Sequence, residues 1–200
     1  MHPSAEHFDA MYAGGDADPW HYRTRWYEAR KRALTLACLP EPRYEHGYEP
    51  GCANGELSAA LALRCDRLLI SDGSEAALDA ARERTRGMPN IELRRAWLPD
   101  DWPDQSFDLI VISEWAYYLG SDDLDVLGDC IAASLRPGGT LLACHWRRPI
   151  EGCLFDGFEV NRRLGKRLGG SSLTRVDDAD FRLDVWSRDG RSVAQREGFA

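Results

Sequence analysis

No apolar run in the 200 residues approaches the ~20 needed to span a membrane, and the opening MHPSAEHFDAMYAGG lacks the basic and apolar regions of a signal peptide. Both absences lead to the expectation of a cytoplasmic protein with no membrane partner. Six cysteines, at 38, 52, 65, 130, 144 and 153, form no CxxC pair and no zinc spacing. They read as small buried apolar residues in a reducing compartment, and no metal is expected. There is no excess of basic residues either: 25 Lys and Arg stand against 33 Asp and Glu, a net charge of -8. That argues against nucleic acid as the main partner, because phosphate binding needs a basic face. The one basic cluster, RTRWYEARKR (23–32), falls inside an expected helix, where a solvated face is the default. Internal repeats and low-complexity tracts are absent.

What remains is a chain of one-domain length, able to bury a full core without disulfides or metals. Residues 1–19 are mixed polar with breakers at Gly14, Gly15 and Pro19, a mobile or partly helical lead-in, and an aromatic and leucine stripe predicts an amphipathic helix from Trp20 to Leu39. Residues 1–40 are therefore expected to form an N-terminal helical lid and 41–200 a core. Within the core, HGYEPG, RLLISD, NIELRRAW, FDLIVISE and TLLACHW read as strands. NGELSAALALR, SEAALDAARERT, DDLDVLGDCIAASL and FDGFEVNRRLGKRL read as the helices between and after them. FDLIVISE is the most continuously apolar strand and should be central, whereas FRLDVWSR alternates and should lie near the sheet's edge. Strand and helix in alternation imply right-handed crossovers and an α/β, doubly wound, Rossmann-like sheet.

In such sheets ligands sit beyond the carboxyl ends of the strands. The first strand end carries EPGCANG: Glu49, then Gly51 for a sharp turn and Gly55 at the helix start, with Ala53 where a dinucleotide loop has its middle glycine. A buried Glu49 is a poor neighbour for pyrophosphate and a good one for a cation or amine. Asp72 follows about 17 residues past the loop, near the spacing at which an acid meets a ribose diol, although capping of the helix at Ser74 is a competing role. Trp97, after the third strand, is placed to lie against an adenine or simply to pack. Glu114 stands at the mouth of the central strand with Trp115, Tyr117 and Tyr118 close behind, a set suited to a substrate slot or a cation. His145, at the fifth strand end, is a candidate proton acceptor, with a structural role as the alternative.

Taken together, EPGCANG, Asp72, FDLIVISEWAYYL and LRPGGTLLACHW resemble the class I S-adenosylmethionine-dependent methyltransferases, and within them the nodulation protein S type. The similarity includes DPW (18–20) followed by Glu28 and Lys31, spans about residues 18–140, and fades after LRPGG. It implies a seven-stranded sheet in the order 3-2-1-4-5-7-6 with the last strand antiparallel. It further implies S-adenosyl-L-methionine as cofactor and S-adenosyl-L-homocysteine as product. Glu49 and the glycine loop would serve the methionine end, Asp72 the ribose hydroxyls, and the position of Trp97 the adenine, where the family often has a carboxylate. By the same analogy the N-terminal segment would fold over the cofactor, with Trp20 and Lys31 closing the pocket. Nodulation S enzymes methylate an amino group of a deacetylated chitooligosaccharide, so the resemblance implies a small-molecule acceptor, an amino sugar among the options. Glu114 or His145 would then receive the proton of an acceptor amine and Tyr117 would orient it. Two alternatives stand beside this reading: a non-catalytic homologue that only binds the cofactor, and a nicotinamide-dependent oxidoreductase. The oxidoreductase would want GxGxxG near the amino terminus and a catalytic pair such as Tyr-Lys; the loop lacks the first pattern, and AYYLGSDD has no YxxxK.

Overall fold

The computed structural model describes residues 18–199; the expected lead-in over 1–17 lies outside the described residues. Helix α1 (Trp26–Cys38) precedes β1 (Tyr44–Pro50), α2 (Glu56–Ala62), β2 (Cys65–Asp72), α3 (Glu75–Arg84), β3 (Ile91–Arg95) and β4 (Phe107–Ser113). A 3-10 turn (Ala116–Tyr118) leads into α4 (Ser121–Ser134), then β5 (Leu135–Trp146), α5 (Gly157–Leu168), β6 (Ser171–Asp177), β7 (Phe181–Ser187) and the short α6 (Val193–Arg196). The seven strands form one sheet in the order β3-β2-β1-β4-β5-β7-β6. β7 runs antiparallel to both its neighbours and the remaining pairs are parallel.

Side-chain alternation along the strands sorts the core into two layers. Leu68, Ile70, Leu109 and Val111 face Leu61, Leu78 and Ala81 from α2 and α3. Leu69, Ile110 and Ile112 face Leu124, Leu127 and Ile131 of α4 and Val160 and Leu164 of α5. The register of β4 shifts between Phe107 and Leu109, which puts Phe107 in the second layer with Ile110 and Ile112. Residues 109–112 have no solvent exposure at all, as a central parallel strand covered on both faces requires.

The strand at 181–188 lies near the sheet's edge, as expected, though not at it. β7 is one place in and buried throughout, and the exposed strand β6, which has no apolar run, forms the edge. The polar residues of β7 alternate, yet they are inside because they satisfy one another. Arg182 Nε donates to Asp184 Oδ2 at 2.8 Å, and Asn161 of α5 donates to the same oxygen at 3.0 Å. Helix α1 is shorter than the stripe predicts, because residues 18–25 form turns before it. All six cysteines are free. Among the described residues no helix is long and apolar enough to cross a membrane.

Candidate active site

A cavity of about 610 Å³ lies beyond the carboxyl ends of β1, β2, β3, β4 and β5. Ligand pockets generally span roughly 300–1,000 Å³. Gly51, Ala53, Asp72, Trp97, Ser113, Glu114, Tyr117 and Trp146 contribute from those ends, and Trp20, Tyr22, Tyr27 and Lys31 close it from the N-terminal side.

The loop after β1 is built on left-handed backbone. Gly51 has φ +72°, and a Cβ there would come within 2.5 Å of the Trp115 ring. Ala53, in place of the middle glycine, is itself left-handed at φ +47°, a conformation costing about 1–2 kcal/mol for a residue with a side chain. It is held there by its N–H, which donates to Asp72 Oδ2 at 3.0 Å. The other Asp72 oxygen accepts the Ser74 N–H at 3.0 Å. Asp72 thus ties the loop to the start of α3 and lines the cavity as well, while Ser74 caps α3 with its own hydroxyl. Gly55 serves a different purpose from the one expected. Its Cβ would lie 3.0 Å from the Ala81 backbone, so it permits close packing of α2 on α3 and does not line the cavity.

Glu49 is 3% exposed, and its Oε2 has no hydrogen-bond partner among the described residues. Burial pushes its carboxyl up to about 8, with Asp72 adding to the effect and Ser58 opposing it. It lines a small chamber of about 50 Å³ that shares Lys31, Gly51, Ala53 and Glu114 with the main cavity.

The segment before α1 is pinned over the loop by a residue that sequence reasoning passed over. Asp18 accepts from the Tyr22 and Arg23 N–H groups at 2.7 and 3.0 Å and from Asn54 Nδ2 at 2.8 Å. Arg23 and Arg84 both reach Glu56 Oε1, at 3.1 and 2.8 Å. Trp20 packs near Tyr22 with ring centroids 5.6 Å apart. The signal was present in the quoted DPW and GCANG motifs, whose Asp and Asn meet here.

Glu114 organises the far side. Its backbone is left-handed at φ +64°, strain that persists only when the surroundings over-determine it. Lys31 Nζ donates to Oε1 at 3.1 Å, and the Tyr117 hydroxyl and the Trp146 N–H donate to Oε2 at 3.0 and 3.2 Å. Lys31 also pairs with Glu28 at 3.1 Å and is 6% exposed. Burial disfavours its charge, but Glu114 and Glu28 outweigh that and hold the ammonium above the usual lysine range. Burial likewise raises the carboxyl of Glu28 and the hydroxyl of Tyr117. Lys31 thus lines the cavity as a locked counter-ion in its wall.

His145 also differs from its candidate role as proton acceptor. It has no solvent exposure, does not line the cavity, and shares a 2.7 Å hydrogen bond with Asn161 Oδ1 through Nδ1. Burial pushes it below the usual histidine range. It reads as a structural residue bridging β5 and α5. Trp97 does line the cavity, 40% exposed and packed on Gly73. Unforeseen wall residues are Tyr27, Asp123 and Asp180. In total six carboxylates (Glu28, Asp72, Asp100, Glu114, Asp123, Asp180) and two cations (Arg25, Lys31) face this space. It favours positively charged occupants. Among the described residues no group of His, Cys, Asp and Glu is placed to hold a metal ion.

Comparison with known proteins agrees with this architecture. A family model described as a methyltransferase domain matches residues 48–139. Nodulation protein S of Rhizobium tropici is 30% identical over 131 residues, 62% of this chain and 53% of that protein. The chain spans about half the length of the curated relatives it matches. A crystal structure from Pseudomonas syringae, of a protein assigned by inference as a methyltransferase, is 50% identical. It covers 82% of this chain and 100% of its own, with a TM-score of 0.74. The N-methyltransferase NodS of Bradyrhizobium japonicum WM9, solved with S-adenosyl-L-homocysteine, shares the fold at a TM-score of 0.78 and 23% identity. That match covers 92% of this chain and 98% of the other.

Proposed function

The chain belongs to the S-adenosylmethionine-dependent methyltransferases, and from that premise and its similarity to nodulation protein S we propose that it methylates the amino group of a small acceptor, an amino sugar or saccharide intermediate. The observation that carries this reading is a convergence on one cavity. A left-handed loop tied to Asp72 meets a wall of carboxylates and aromatic rings on the β4–β5 side.

The residues suit the cofactor. Asp72 borders the cavity beside Trp97, as a ribose-and-adenine end needs, and Glu49 with the Gly51–Ala53 backbone borders the end where an ammonium and a carboxylate would sit. Trp20 and Tyr22, anchored through Asp18, cover it. When bound, S-adenosylmethionine supplies a methyl on a sulfonium that an amine lone pair displaces in line, the C–S electron pair remaining on sulfur. Holding the acceptor in line is the protein's main task, and orientation of this kind supplies roughly 7–11 kcal/mol.

Glu114 does not act as a free base here, because three donors already occupy its oxygens. Its role is that of a fixed anion: it orients Tyr117, whose oxygen keeps lone pairs to accept an acceptor N–H. The same charge, with the faces of Tyr27 and Trp146, stabilises the ammonium that forms on methylation. The acceptor amine arrives neutral, and its proton leaves to solvent after transfer.

Calorimetric titration with S-adenosylmethionine, S-adenosylhomocysteine and NADH tests the cofactor, and methyl transfer to a panel of amino sugars tests the reaction. Binding of the first two ligands without transfer to any amine would favour the binding-only homologue. Binding of NADH in preference to either would overturn the reading.

A further inference from the structure

The small chamber at the glycine loop has a volume of about 50 Å³, enough to hold a small polar head group. Glu49 lines it from the end of β1, nearly fully buried and with Oε2 lacking any hydrogen-bond partner among the described residues. An ionised carboxylate in that position is costly unless paired.

The groups around the chamber do not supply the pairing. On α1, the Lys31 ammonium is held by Glu28 and Glu114, and Arg32 donates to the Tyr22 carbonyl at 2.7 Å. Glu56 of α2 is engaged by Arg23 and Arg84. Asp72 of β2 adds negative charge, and the neighbouring Cys52 thiol is kept protonated by burial, with Asp72 and Glu49 reinforcing it. Glu49 forms no ion pair among the described residues. Burial and Asp72 therefore favour a neutral carboxyl, outweighing the opposing Ser58 hydroxyl of α2, for as long as the chamber lacks a cation.

We propose that Glu49 is a proton-linked gate for the cofactor's ammonium group: it is protonated in the free protein and ionises when that ammonium enters the chamber. The inference rests on the cofactor reading above. The balance is simple. The Glu49 O–H bond breaks, its proton passes to buffer, and the carboxylate left behind pairs with the ammonium that has entered. Affinity for the cofactor then rises with pH through the neutral range. The cofactor's own amine, with an ordinary α-amino pKa of about 7.7–8.0, is mostly charged at pH 7 and takes up only a small fraction of a proton.

The test is titration calorimetry of S-adenosylhomocysteine at pH 7 in buffers of different ionisation enthalpy, which counts protons exchanged per ligand bound. Wild type is expected to release close to one proton. Glu49→Gln mimics the neutral acid and should fold with an unchanged far-UV spectrum. It should bind at least tenfold more weakly and release no proton. Binding by wild type without net proton release overturns the inference and leaves the cofactor assignment standing. Equal release by Glu49→Gln overturns it as well, since the proton then comes from elsewhere. No binding of S-adenosylhomocysteine to wild type at all would remove the cofactor reading itself, and this inference with it.

Discussion

Replacing Lys31 with Met tests the organisation of the cavity wall at its most constrained point. The ammonium is 6% exposed and lies 3.1 Å from carboxylates on two different elements, Glu28 in its own helix and Glu114 beyond β4. Removing it leaves two partly or fully buried acids without their cation. Breaking such a pair costs about 3–5 kcal/mol, and a domain of this size loses roughly 2–4 °C of melting temperature per kcal/mol. The expected drop is therefore on the order of 6–20 °C by differential scanning calorimetry. The loss should shrink as pH falls from 8 to 5, because protonation discharges the carboxylates that have lost their partner. Burial already raises the Glu28 carboxyl and Lys31 opposes that, so without the ammonium the variant is most stable at low pH and loses stability as pH rises. Lys31 itself titrates far above this window in the wild type and contributes no slope there. Adding Glu114→Gln to Lys31→Met should recover part of the loss, since one uncompensated charge goes. A drop below about 1 kcal/mol, or one that is the same at pH 5 and pH 8, would refute the view of Lys31 as a buried counter-ion.

Asp72→Ala should weaken S-adenosylhomocysteine about 100- to 1,000-fold, as expected for two lost charge-assisted hydrogen bonds at roughly 1.5–3 kcal/mol each with partial compensation; unchanged affinity in a folded variant would sink the ribose assignment. Glu114→Gln should lower turnover more than cofactor affinity, which steady-state kinetics beside calorimetry would separate; an equal loss in both would argue against an acceptor-side role. In the free protein, Glu49 contributes a stability that fades between about pH 5 and pH 8, because burial raises its folded carboxyl from 4.5 to about 8. Denaturant melts of wild type and Glu49→Gln across that range should diverge by no more than roughly 5 kcal/mol, with the variant flatter; parallel curves would contradict it.

Much of the fold was legible because burial on both faces writes itself into apolar runs, as in β4, and because crossovers follow from strand and helix alternation. β6 was not legible as a strand: SSLTRVD is a largely exposed edge with only Leu173 and Val176 apolar, too few to mark a strand. β7 lies next to the edge as its alternation suggests, but the burial of Arg182 and Asp184 was not legible, because they pair with each other inside. In the site, Gly51, Glu49 and Asp72 could be read from local spacing, since loop and acid are neighbours in sequence. The roles of Lys31 and His145 depend on partners 83 and 16 residues away, and no local pattern announces those contacts. Gly55 looked like a ligand contact because a glycine at a helix start fits both a ligand and a second helix; the packing of Ala81 decides for the helix.

The most direct measurement follows methyl-labelled S-adenosylmethionine onto paired acceptors, each amino sugar beside its N-acetylated form, with pH varied across the amine's titration. The account predicts label on the free amines alone, with kcat/KM rising as the acceptor loses its proton. Label on the N-acetylated sugars to the same extent, or no transfer to any amine by a protein that binds S-adenosylhomocysteine, would contradict it.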